Sequence, residues 1–112
     1  MKMYILIKDI VPDELAPVLA AHASLACYRQ FEDDPNMQEW VSSIFYKVVC
    51  RVNNKEWNKI MEIEKGISLS ESSIPEHNYV CHALCPRPDE DWPNVIKFAK
   101  KWKPEPTGRG DR

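Results

Sequence analysis

Glycine is scarce here: the 112-residue chain holds three, against nine prolines. Neither GxGxxG nor GxxxxGK[ST] can be written from it, which excludes nucleotide-binding folds that rest on a Gly-rich phosphate cradle. Long hydrophobic runs are missing too, since no segment approaches the roughly 18 uninterrupted apolar residues of a spanning helix. The opening Met1-Lys2-Met3-Tyr4-Ile5-Leu6-Ile7 is too short for a signal-peptide core and meets Lys8-Asp9 without a small-residue cleavage site. A cytoplasmic protein with no membrane partner is expected. Nor does one charge sign dominate: 15 Lys and Arg face 17 Asp and Glu, a formal net charge of −2. No global field pulls in nucleic acid or an acidic membrane, and only a local basic patch stays open.

What is present suits one packed domain of ordinary size, with 44% hydrophobic and 29% charged residues. Cys27, Cys50, Cys81 and Cys85 are even in number, but in a cytosolic chain they read as free thiols. A zinc site from His77, Cys81, His82 and Cys85 lacks the paired-knuckle spacing. If 79–85 is a strand, alternation also sends Cys81 and Cys85 to one face and His82 to the other. No metal and no cofactor are expected.

Lys2 to Asp9 alternates β-formers and predicts a first strand, bounded by Pro12. From Asp13 the period changes: Leu15, Val18, Leu19, His22, Leu25 and Ala26 predict a helix to about Phe31 with these residues on its buried face. Pro17 falls in its first turn, where a missing N–H costs little. Ile44 to Val52 carries apolar residues on both faces, as a central strand does. Asn53-Asn54-Lys55-Glu56 resembles a capping box, followed by a helical stripe of Trp57, Ile60 and Met61 that stops at Gly66. Ile67 to about Ser70 is a short strand and His77 to Cys85 the last one. A final helix opens at Asp89-Glu90-Asp91 and buries Trp92, Ile96, Ala99 and Trp102. The order β-α-β-α-β-β-α predicts one three-layer α/β domain over residues 1–103, a mixed four-stranded sheet flanked by helices, with a flexible tail over 104–112.

Histidines are the first places to seek acid–base chemistry. Taken alone, His22 reads as a core-edge residue on the first helix, His77 as a solvated turn residue and His82 as packed on the sheet. Cys27 lies five residues beyond His22 and so points to another side of the helix. Lys97, Lys100, Lys101 and Lys103 on the last helix, with Arg87, form either a solvated face or a phosphate-contacting patch.

The stretch Ala21-His22-Ala23-Ser24-Leu25-Ala26-Cys27-Tyr28-Arg29-Gln30 resembles the S-H-A-A-V-x-A-Y-[KR] helix of the type II (archaeal and eukaryotic) peptidyl-tRNA hydrolases. Lys47-Val48-Val49-Cys50-Arg51 is similar to that family's K-V-V-V-K strand, and Cys85-Pro86-Arg87-Pro88 to its G-P-x-P turn. The resemblance runs to about Lys103 with the same element order. It implies a compact α/β fold, a homodimer, and cleavage of the ester joining a peptide to the tRNA 3′ end, with His22 at the position of the helix histidine. The family's lysine, seven residues before, falls on Leu15. Its D-A-G-R-T-Q-I loop, counted back from the Pro-x-Pro turn, meets Ser68-Leu69-Ser70-Glu71-Ser72-Ser73-Ile74. Serine thus replaces the aspartate and Glu71 the arginine, while Ser72 keeps a hydroxyl in place of threonine. Losing the lysine and the carboxylate removes a donor and a base that ester hydrolysis uses. Two functions follow as expectations. One is a divergent hydrolase in which His22 activates water with Ser72 and Glu71 assisting, the basic patch facing the tRNA 3′ end. The other is a non-catalytic protein that holds a partner or small ligand in the former cleft.

Overall fold

Side-chain alternation along the first strand sets up the layers. In the computed structural model, which describes residues 1–75 and 78–104, β1 (Lys2–Lys8) sends Met3, Ile5 and Ile7 into one apolar cluster. Leu6, with Tyr4 beside it, enters a second cluster on the opposite face. Being apolar on both faces suits β1 to the centre of the sheet. It pairs in parallel with β2 (Lys47–Val52) and antiparallel with β4 (Cys81–Arg87). Outside these lie β3 (Gly66–Leu69) against β4 and β5 (Lys100–Lys101) against β2, both antiparallel. The order is β3-β4-β1-β2-β5.

The first cluster is covered by α1 (Ala16–Gln30) and α2 (Pro35–Ser42), the second by α3 (Asn54–Ile60) and α4 (Asn94–Lys97). Each helix start has a local cause. Asp34 caps α2 by accepting from the Asn36 N–H at 2.8 Å, and Pro35 follows where its missing N–H costs nothing. Around α3 the capping box closes both ways: Glu56 N–H donates to Asn53 Oδ1 and Asn53 N–H to Glu56 Oε1, each at 2.8 Å.

The single mixed α/β domain and the three layers agree with the sequence expectation; several elements differ. The sheet has five strands among the described residues, not four. The final helix expected from Asp89 to Trp102 is instead a 3-10 turn at Asp89–Asp91, the four-residue α4 and the strand β5. Proline explains the break, because the residue before a proline avoids helical backbone and Trp92 is extended at ψ 133°. Lys97 therefore ends α4, while Lys100 and Lys101 sit on a sheet edge rather than on a helix face. Helix α2 lies outside the sequence expectation, and β2 begins at Lys47, after the exposed Ile44, Phe45 and Tyr46, with Phe45 at φ 41°. The buried stripe of α1 is Ala16, Leu19, Ala23 and Cys27, so Val18, His22 and Leu25 face outward. Three of its four residues, Ala16, Ala23 and Cys27, are small, and Leu19 is the one large side chain among them. The expected turn at His77 and the tail from Glu105 onward lie outside the described residues.

Candidate functional site

His22 is exposed on α1, about 60° round the helix from the buried Leu19 and about 100° from the buried Ala23. Near it is the turn that follows β3. There Glu71 accepts from the Ser73 N–H at 3.0 Å and from the Ser73 hydroxyl at 2.8 Å. These bonds hold the Glu71 carboxyl below the usual carboxylate range, and the nearby His22 adds to the effect. Ser72 is exposed on the same turn and its hydroxyl also favours the charged carboxylate. The three residues assigned catalytic roles thus share one surface corner. A carboxylate already engaged and depressed is a weak proton acceptor, so its use there is to orient a neighbour.

The other positions implied by the family resemblance are not brought to that corner. Ser68 faces the opposite side of the sheet, with its Oγ 2.6 Å from His82 Nδ1 and its Cα in register with His82. Leu15 is half-buried against the α1-side core. Of the expected basic patch, Arg87 is held in place: it donates to the Glu64 carbonyl at 3.0 Å and to the Cys85 carbonyl at 3.2 Å, and stacks 4.6 Å from the Trp92 ring. Lys97, Lys100 and Lys101 are exposed.

A concave surface lies on the other flank of α1, and sequence reasoning did not find it. Helix α1 packs on β1, β3 and β4, which leaves the α1-side face of β2 without a helix over it. A groove of about 410 Å³ results, floored by Ile5 and Val49 and walled by Ala20, Ala21, Ser24, Leu25 and Tyr28 of α1. Trp40 and Val41 at the end of α2, with Phe45 and Lys47, close the far side. Neither His22, Glu71 nor Ser72 lines it. Leu25 is 61% exposed, a cost that an isolated domain carries without benefit. Of the large apolar side chains of α1, Leu19 is buried while Val18 and Leu25 are exposed, a division that the sequence pattern alone does not make.

Tyr46 anchors this wall, its carbonyl accepting from Trp40 Nε1 at 2.8 Å and from the Met3 N–H at 3.0 Å. Beyond the groove a strap ties the C-terminal segment down. Asp13 Oδ1 accepts from Arg51 and from Trp102 Nε1, each at 3.0 Å, and the Arg51 guanidinium lies 3.8 Å from the Trp102 ring centre.

The four cysteines are buried free thiols. Burial pushes Cys27 and Cys81 up to about 12 and Cys50 and Cys85 to about 11, far from a reactive thiolate. Among the described residues no group of three or more His, Cys, Asp or Glu side chains converges as a metal site. No helix among them is long and apolar enough to cross a membrane. Comparison of the chain with protein-family models finds no match, and comparison with curated proteins finds none either.

Proposed function

We propose that this chain is a divergent domain of the peptidyl-tRNA hydrolase II kind that binds rather than hydrolyses, holding a partner protein or small ligand in the groove between α1 and α2. One observation carries the reading: the groove and the His22 corner are separate, so the candidate acid–base residues do not face the surface best shaped to hold a molecule. The positions implied for the lysine and aspartate, Leu15 and Ser68, support it, since Leu15 packs half-buried against the core and Ser68 lies across the sheet. A cytoplasmic location and a homodimer belong to the same proposal.

A specific observation favours a second reading, a residual hydrolase acting on tRNA-linked esters. His22 is open to solvent and within electrostatic reach of Glu71, with Ser72 alongside. Incubation with peptidyl-tRNA separates the two. We expect wild type and His22→Ala to release peptide at the same uncatalysed rate. Turnover by wild type that drops by about 100-fold or more in His22→Ala, the range of general acid–base catalysis, would replace the binding reading by the enzymatic one.

A further inference from the structure

We propose that the groove beside α1 takes a medium-chain monocarboxylate, its hydrocarbon laid over Val49 and its carboxylate at Lys47; the inference rests on the groove being the binding site of this domain. Charge complementarity selects this class. Among the described residues Lys47 is the one charged side chain of the lining, which contains no acidic side chain and is otherwise apolar apart from the hydroxyls of Ser24 and Tyr28. A cation would meet repulsion, and a polyanion would find no second positive group. An uncharged hydrocarbon would gain the apolar contact but leave the ammonium without a counter-charge.

Lys47 is prepared for that role. No carboxylate lies within ion-pair distance of it among the described residues. Its Nζ donates to the Phe45 carbonyl at 3.0 Å and stands 4.9 Å and 5.4 Å from the ring centres of Phe45 and Trp40. An ammonium has three donors, so two remain for an incoming anion. Held by two rings and a carbonyl, the side chain loses less freedom on binding than a free lysine does.

The wall beside it is costly to build. Phe45 has φ 41°, a left-handed backbone that a bulky residue adopts at a penalty, in a segment that also exposes Ile44. Strain of this kind is characteristic of ligand clamps, and here it sets the aromatic ring at the mouth of the groove. The volume of about 410 Å³ falls in the lower part of the usual range for small-molecule sites. One acyl chain fits that size better than a two-chain lipid.

Calorimetric titration with hexanoate, octanoate and the uncharged 1-octanol tests the assignment. Octanoate is expected to bind wild type at least tenfold more tightly than octanol. Affinity should rise about fourfold per methylene from hexanoate to octanoate, corresponding to about 0.8 kcal/mol per buried CH2. Lys47→Gln should bring octanoate down to the affinity of octanol. Ala21→Trp, which fills the groove from an exposed helix position, should remove both ligands while circular dichroism stays native; Val41→Glu is the second block if that variant misfolds. Equal binding of octanoate and octanol, both lost on blocking, overturns the carboxylate assignment and leaves the groove as a site. Binding that survives both blocks, or no binding at all, overturns the proposal, whereas the binding reading of the domain is judged separately by turnover of peptidyl-tRNA.

Discussion

At the scale of the residue, His82 is the one polar side chain buried in the core among the described residues. It is 6% exposed on β4, with Nδ1 2.6 Å from Ser68 Oγ and Nε2 buried without a partner. A Cβ on Gly66 would overlap Nε2, so the absent side chain there is what makes room for the ring. Burial pushes His82 down to about 4. The folded protein therefore binds this proton less readily than the unfolded chain, whose histidine titrates near 6.5. Above about pH 6.5 both states hold it neutral and nothing is lost; between about 6.5 and 4 the unfolded state takes up the proton and stability falls. The loss is expected to be of order 3 kcal/mol at full extent, from about 1.36 kcal/mol per unit. The difference in unfolding free energy between wild type and His82→Met, from urea titrations, should change by that amount between pH 7 and pH 4 and stay flat above about pH 6.5. Equal pH dependence in the two proteins would contradict the buried neutral ring. Alternation alone placed His82 opposite Cys81 and Cys85, as found, because a strand's period is local. That Gly66 sits against it was not legible, since the antiparallel pairing of β3 with β4 joins residues well separated along the chain, Gly66 with Leu84 and Ser68 with His82.

Among the elements, legibility followed how local the cause was. The Asn53 capping box needs four consecutive residues and was read from the sequence. Helix α2 had comparable signals, Asp34-Pro35 with Met37 and Trp40 three apart, and they went unread beside the stronger pattern of the following strand. The phase of α1 differs from the expected one for a physical reason: Leu19 is buried as expected, but Ala16, Ala23 and Cys27 complete the stripe, while Val18 and Leu25 lie exposed along the flanks, and apolar periodicity does not separate a small buried residue from a large exposed one. The ending of the chain's described part depends on a contact across 89 positions, Trp102 to Asp13, which no window could contain. Asp13→Ala removes the shared acceptor of Arg51 and Trp102. We expect a loss of about 1–2 kcal/mol, in the range for hydrogen bonds to a charged group that is partly exposed. Hydrogen exchange should also accelerate at the Trp102 N–H, which donates to the Val49 carbonyl at 2.8 Å. An unchanged exchange rate there would mean that the strap does not hold β5.

For the whole molecule, the class of fold was legible because the alternation of strand and helix patterns is a property of order, whereas the candidate groove was not. It arises from which strand α1 leaves uncovered, and no residue of β2 announces that. The same arrangement makes β4 indispensable. It fills one side of β1 and offers Cys81, Ala83 and Cys85 to the α1-side core and Leu84 to the other. A chain ended at Pro75 keeps the β1-β2 pair but loses all of this. It should show no cooperative urea transition and no near-ultraviolet circular dichroism of fixed aromatic rings, while a chain ended at Pro104 should unfold as the full-length protein does. A cooperative transition in the shorter chain would show that the core of β1 and β2 is self-sufficient.

The central position of β1 also bears on biosynthesis. Within this domain β1 leaves the ribosome well before one of its two neighbours, since Ile7 pairs with Cys81 and Lys2 with Arg87. At a synthesis rate of about 5–20 residues per second, the nascent chain carries one open strand edge and a half-covered apolar helix for roughly several seconds. The interval before β4 emerges is thus the one in which this edge is open, and agents that shield exposed strands would act then rather than on the folded domain.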